Sequence, residues 1–250
     1  MELYEKDLWT NPGITSIFGG EIIEYDIESA GYNLIIKYKL LPEEDIKSLT
    51  GLKKDKLVVK IGNMQRKNPE FAKRLAEAFV EIRRLFFESN GIATVDVVSI
   101  KKDAIFLNRN VSCLNFDNVV FRPKHIYTSY LRLDKIEIYY NEERIDYKNL
   151  GKYNEKFYKD SIEMVLKGIF HRMETKTKED AIRYLRRYMD KYKKRELDIS
   201  FYCPFRPNGI YELLTDDPTA YPMLSQDRID EVNIYYNWVN VFSKLALILI

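Results

Sequence analysis

The hydrophobic pattern changes period several times along the chain. Glu21-Ile22-Ile23-Glu24-Tyr25-Asp26-Ile27 reads as a strand entered from the Gly19-Gly20 turn, with Asp26 near its C-terminal end. Ser29 to Leu41 then reads as helical, up to the break at Pro42. The clearest helix opens at Asn68-Pro69-Glu70-Phe71, where Asn68 suits the N-cap and Pro69 the first helical position. Phe71, Leu75, Ala78, Phe79, Ile82, Leu85 and Phe86 recur on one face, and Gly91 stops the run. That stripe is expected to be core rather than a platform for stacking bases.

Thr94 to Ile100 and Ala104 to Leu107 predict the two strands of a hairpin, with Lys101-Lys102-Asp103 at its bend. Further strand signals follow at Val119 to Phe121, Ile126 to Leu131 and Ile136 to Tyr140. After about Leu150 the character changes. Asn154 to Met173 and Lys178 to Lys194 predict two amphipathic helices, the second strongly basic. Pro204 to Pro222 reads as a polar loop, and Ile229 to Ile250 as partly helical. No repeat or low-complexity tract interrupts this. The expected class is α+β: an antiparallel sheet with packed helices over residues 1–150, then a mainly helical region over 151–250.

Composition narrows the chemistry. Hydrophobic residues are 46% of the 250 and charged residues 31%, an ordinary globular balance. The net charge of +2 supplies no global basic field, so any nucleic acid must be met by local basic patches. Cys113 and Cys203 have no metal-ligand spacing and suggest no disulfide framework. His125 and His171 are too few for a histidine metal site and read as structural. The N-terminus shows no signal-peptide pattern, and the apolar run Leu245 to Ile250 is too short to span a bilayer. A cytoplasmic protein with no membrane partner is expected.

Two acids then stand out. Metal-dependent phosphoryl transfer needs carboxylates from separate elements brought to one place, where two magnesium ions activate the attacking hydroxyl and stabilise the leaving group. Magnesium keeps several waters, so two protein carboxylates suffice beside substrate phosphates. Asp26 at a strand end and Asp103 in a hairpin bend have suitable predicted positions. Each also has a plainer reading. Asp26 suits the N-cap of the helical run that follows, and Asp is common in hairpin turns.

The words around these acids carry a resemblance. Tyr25-Asp26-Ile27-Glu28-Ser29-Ala30-Gly31-Tyr32-Asn33-Leu34-Ile35 resembles the first palm motif of family-B DNA polymerases, D-x-x-S-L-Y-P-S-I-I. Ser99-Ile100-Lys101-Lys102-Asp103-Ala104-Ile105-Phe106-Leu107 resembles their third palm motif, Y-G-D-T-D-S-I-F-V. Asp103 then falls on the second, metal-binding aspartate of that motif, and Lys101 replaces the first. Lys124-His125-Ile126-Tyr127 is similar to the basic K-K-R-Y stretch. Lys135-Ile136 and Ile145 to Leu150 are similar to the D-x-K-G-L passage. Arg195-Glu196-Leu197-Asp198-Ile199-Ser200 resembles the thumb segment, and Ile229-Asp230, Tyr235-Tyr236-Asn237 and Leu245 to Leu249 resemble the closing helix. The matches run in the family's order from about Glu24 onward.

The resemblance implies a palm-like domain over 1–150 with a trimmed finger insertion at about 42–92, and a thumb-like helical region over 151–250. It implies template-directed nucleotidyl transfer from nucleoside triphosphates onto a primer–template, using two Mg²⁺ ions, with Mn²⁺ as a substitute. Asp26 and Asp103 would be catalytic and hold the metals, with the Ile27 carbonyl as a further oxygen ligand. Ser29, Gly31 and Tyr32 would line the nucleotide site, Tyr32 standing in for the tyrosine that Gly31 replaces. By chemistry, Lys60, Arg66 and Lys67 are the triphosphate cations. Lys101, Lys124, Tyr127, Arg186, Arg187 and Lys194 would contact nucleic acid, although a basic helix face is often simply solvated. The finger motif is only echoed, by Lys60-Ile61-Gly62-Asn63, and there is no room for the family's exonuclease domain. So compact a polymerase suits a phage, which would put it in the host cytoplasm. These departures also suit a catalytically degenerate relative, or one subunit of a split polymerase that binds nucleic acid, a replication protein or a separate exonuclease subunit.

Overall fold

A computed structural model of the chain describes residues 2–150, 162–194, 196–197 and 244–249. The class is α+β, as the alternation of periods predicts. In order come β1 (Leu8–Thr10), β2 (Ser16–Ile27), α1 (Ala30–Lys37), α2 (Glu43–Leu49), α3 (Lys54–Lys67), α4 (Pro69–Asn90), β3 (Val97–Lys101) and β4 (Ala104–Leu107). Then follow β5 (Asn115–Phe116), β6 (Val119–Leu133), β7 (Ile136–Tyr140), β8 (Ile145–Lys148), α5 (Glu163–Thr175) and α6 (Lys178–Lys193). A short helix, α7, covers residues 244–249. The strand order is β1-β3-β4-β2-β6-β7-β8, with β5 paired to β6.

The chain forms two compact units. The first holds residues 1–13 and 21–126, the second 14–20 and 127–250. The division runs through β2 and β6; among the described residues the last strand ends at Lys148 and the next helix begins at Glu163.

In the first unit the sheet packs against α4. Asn68 caps that helix as expected, its Oδ1 accepting from the Phe71 amide at 3.0 Å, and Gly91 ends it at φ 55°. Its buried face is Phe71, Leu75, Ala78, Ile82, Arg83, Phe86 and Phe87. Phe86 is the hub: its ring stacks on Phe121 at 4.0 Å and meets Tyr25 at 5.7 Å and Phe116 at 6.4 Å. The predicted hairpin is present, with Lys101 opposite Ala104 and only Lys102 and Asp103 in the loop. The helical reading of Ser29 to Leu41 shortens to α1, because Lys39 takes φ 49° and ends the turn.

The sequence reading missed α2 and α3, which fill the span given to the trimmed fingers. It also missed the short strands β1, β5 and β8, whose few residues carry too little pattern to read. Two separate strand signals, at Val119 and Ile126, are one long strand, β6. β6 pairs with β5 at its start and with β7 from Ser129, and Pro123 falls between those pairings, where a missing N–H is tolerated.

The second unit has its own core. Leu131, Leu133, Ile138 and Tyr140 pack on Val165, Leu166, Ile169 and Phe170 of α5 and on Leu185 of α6. Tyr140 and Phe170 stack at 4.7 Å. The predicted basic helix is α6, capped by Thr177, whose hydroxyl accepts from the Asp180 amide at 3.2 Å. The part of the first predicted helix before residue 162, the loop from Pro204 to Pro222, and residues 229–243 lie outside the described residues. So do Arg195 and residues 198–200 of the thumb-like motif. Among the described residues no helix is long and apolar enough to cross a membrane.

Because Phe86 joins four aromatic rings in the first core, Phe86→Ala is expected to destabilise that unit by about 3–5 kcal/mol. Denaturant unfolding followed by aromatic fluorescence checks this; a loss under about 1 kcal/mol would contradict it.

Candidate active site

The period of a strand places β2's acids. Ile23, Tyr25 and Ile27 face the core of the first unit, so Glu24 and Asp26 lie on the opposite face of the sheet. Asp26 is opposite Ala104 on β4, and Ala104 is opposite Lys101 on β3. The bend that follows carries Asp103, whose carbonyl accepts from the Ile27 amide at 3.4 Å. Asp26 and Asp103 therefore sit at neighbouring strand ends. Asp26 is a strand residue and not a helix cap; Ser29, at φ 46°, holds the N-cap position of α1.

Both carboxylates line one pocket of about 420 Å³ within the first unit. Ile27, Ser29, Gly31 and Tyr32 line it beside them, so six of the residues given a role by the two motifs lie around one pocket. The far wall is apolar and comes from helices: Leu57, Val58 and Ile61 of α3, and Leu75, Ala76 and Phe79 of α4. Lys54, Gln65, Lys102 and Asp7 supply its remaining polar edge. Tyr32 is tethered by its hydroxyl, 3.2 Å from Thr50 Oγ1. The Gly31 position is close to α3, since a Cβ there would stand 3.5 Å from Ile61 Cδ1.

The electrostatics centre on Lys124. Its Nζ is 3.0 Å from Asp26 Oδ2 and 3.7 Å from Glu24 Oε1, and Glu24 is almost wholly buried. Burial works against the ammonium, but the Asp26 hydrogen bond and the charges of Glu24, Asp26 and Asp103 outweigh it and hold the Lys124 pKa above its ordinary value. Asp103 is pushed up, first by burial and then by the Asp26 charge, against the opposing pull of its own backbone amide, Lys124 and Lys102. The Lys124 ammonium thus pairs with Asp26 and lies close to Glu24, within the electrostatic reach of Asp103.

Such a donor set suits a hard cation. Carboxylate oxygens fit Mg²⁺ or Mn²⁺ rather than a soft metal. Among the described residues no group of three or more His, Cys, Asp or Glu side chains converges on one point. A divalent ion here would take Asp26 and Asp103 and complete its shell with water or phosphate oxygens.

Other predicted residues lie elsewhere. Lys60 donates to the Ser48 carbonyl at 2.8 Å, and neither it nor Arg66 nor Lys67 is among the pocket-lining residues. The α3 cation at the pocket is instead Lys54, four residues and about one helical turn before Val58. Lys101 shares the face of Asp26 two strand spacings away, roughly 10 Å, with its Nζ 3.1 Å from Thr10 Oγ1. Tyr127 is fully buried and its hydroxyl donates to Asp146 at 2.5 Å, which makes it a core residue rather than a surface contact. Arg186, Arg187 and Lys194 are exposed on and just after α6, in the second unit. Phe79 and Leu75, which pack in the core of the first unit as the stripe predicts, also line the pocket.

Sequence reasoning missed Glu24, Asp7, Lys54, Gln65 and Arg83. Two had legible signals. Glu24 shares Asp26's strand face, two residues earlier. Arg83 lies four residues from both Phe79 and Phe87, on the apolar side of α4. Asp7, Lys54 and Gln65 reach the pocket only through tertiary packing.

Comparison with known sequences places the chain. A protein family described as Bacteriophage PBS1 gene 130 protein matches residues 1–248. The chain belongs to that family. The phage-like character expected from the sequence stands on this match, which covers the pocket of the gene 130 family protein in full. The description of the family states no activity and no polymerase relationship. No curated protein matches the chain significantly.

Two outcomes follow from the charges. A carboxyl whose folded pKa is raised binds its proton more readily folded than unfolded, so its ionisation costs stability as pH rises through the folded value. Asp103→Asn is therefore expected to raise Tm at pH 7 by about 2–4 °C, with the gain vanishing once the medium is acid enough to protonate the group in both states. A Tm difference independent of pH would contradict this. Lys124→Ala removes the ammonium that competes for the carboxylates, so Mn²⁺ should bind up to about fivefold tighter, as expected for a half-exposed ion pair. Calorimetric titration reads this directly, and weaker binding would count against it.

Proposed function

We propose that this protein is a reduced polymerase of family-B type, catalysing template-directed nucleotidyl transfer to a primer 3′-hydroxyl. The observation that carries the reading is that Asp26 and Asp103, from two separate palm-like motifs, both line one pocket walled by α3 and α4. In the reaction the 3′-oxygen bonds to the α-phosphorus of a nucleoside triphosphate as the bond to the bridging oxygen breaks, releasing pyrophosphate. Bound divalent ions would lower the pKa of the hydroxyl and neutralise charge on the phosphates.

The chain's own residues have separate tasks. Asp26 and Asp103 hold the ions, with the Ile27 carbonyl as a further oxygen. Lys124, once released from Asp26, is a cation for the triphosphate or the primer backbone. The apolar wall of Leu57, Val58, Ile61 and Phe79 excludes water and accepts the sugar and base. Lys54 and Lys102 neutralise phosphate charge at the rim. In this reading the first 150 residues form palm and short fingers, the later helices form the thumb, and Arg186, Arg187 and Lys194 meet duplex phosphates without reading sequence.

A second reading has its own observation. Lys101 stands where the family carries an acid, and Lys124 is paired with the remaining acids, which favours a degenerate polymerase that binds nucleic acid or a replication partner.

Primer extension with Mg²⁺ or Mn²⁺, using deoxy- and ribonucleotides on DNA and RNA templates, separates the two. The wild-type chain is expected to extend, and Asp26→Asn and Asp103→Asn to lose at least about 100-fold. A wild-type chain inert under all these conditions, yet binding primer–template, would sink the catalytic reading and leave the second.

A further inference from the structure

Arg83 is a charged residue in the middle of the apolar face of α4, and its side chain has no exposed surface. Each guanidinium nitrogen has its own acceptor. Nε donates to the Tyr4 carbonyl at 2.8 Å, Nη1 to the Lys102 carbonyl at 3.0 Å, and Nη2 to Asp7 Oδ1 at 2.8 Å. From the other side, the Lys102 amide donates to the Asp7 carbonyl at 2.6 Å. Both polar groups of Lys102's backbone are therefore held, one by Arg83 and one by Asp7.

Lys102 needs that hold. Its φ is 58°, a conformation that a residue with a long side chain keeps only when its surroundings fix it. The next residue is Asp103, and a rotation of the bend would swing its carboxylate away from Asp26. Burying a guanidinium is costly, and an apolar side chain of similar volume would serve the core of α4 as well or better. The charge is explained by what it reaches: three acceptors, one of them at the hairpin bend.

We propose that Arg83, with Asp7 as its partner, is the positioning pair for Asp103, fixing the bend so that its carboxylate and that of Asp26 act on one cation. Their role in this proposal is to hold the bend, not to ligate the ion. The N-terminal segment thereby becomes part of the site's frame. This inference rests on the reading of Asp26 and Asp103 as the ion-holding pair.

Mn²⁺ titration of the full chain tests it, with thermal unfolding and amide hydrogen exchange at Lys102 and Asp103 measured on the same samples. Arg83→Lys keeps the charge but loses the three-way fork, and Asp7→Ala, at a side chain 60% exposed, keeps the core intact. Both are expected to weaken Mn²⁺ binding about 10- to 100-fold and to speed exchange at the bend. Asp7→Asn retains the acceptor oxygen and is expected to bind nearly as wild type. Wild-type Mn²⁺ affinity in Arg83→Lys and Asp7→Ala, even with a lowered Tm, would make the clamp purely structural and overturn the proposal. Equal losses in Asp7→Asn and Asp7→Ala would assign the effect to charge alone and also overturn it. A wild-type chain that binds no Mn²⁺, unchanged by Asp26→Asn or Asp103→Asn, would remove the ion-holding reading itself and this proposal with it.

Discussion

Everything that gathers at the pocket follows from the pairing of β2 with β4, in which Asp26 lies opposite Ala104 and Tyr25 opposite Ile105. A pleated strand alternates its side chains, so this register sends Tyr25 to the Phe86 core and Asp26 to the other face. A slip of one residue would bury Asp26 among aromatic rings and expose Tyr25. The hydrophobic requirement of the core therefore fixes the position of the acid. The same register brings the two-residue bend of the hairpin to the end of β2, and with it Asp103.

Concentrating carboxylates has an electrostatic cost. Burial disfavours the Asp103 carboxylate, and the charge of Asp26 adds to the difficulty. The fold offsets this with Lys124, carried on β6, whose ammonium pairs with Asp26. The ammonium offsets part of the negative charge gathered at this end of β2. It is a common feature of functional sites that charge is gathered beyond what stability alone would favour.

The helix α4 has two roles that its sequence mixes. Phe71, Phe86 and Phe87 hold the sheet by burial, whereas Arg83 reaches past the core to the hairpin bend and the N-terminal segment. Phe79 and Leu75, from the same helix, wall the pocket. One long element thus supports the sheet, braces the bend and shapes the cavity.

The sequence by itself determined the elements with strong local signals. Asn68, Pro69 and Gly91 bounded α4; the apolar pair of strands around Lys101-Lys102-Asp103 gave the hairpin; the basic amphipathic pattern from Lys178 gave α6. It also singled out Asp26 and Asp103 and the neighbouring Ser29, Gly31 and Tyr32, because motif order along a chain is local information. Tertiary structure alone decided which cations accompany them. Lys60, Arg66 and Lys67 do not line the pocket, whereas Lys54 does without belonging to any motif. Tyr127 could not be known as core until β6 was seen as one strand with Asp146 within reach. The physical reason is that periodicity records which face a residue takes on its own element, whereas a site depends on the packing of elements far apart in the chain.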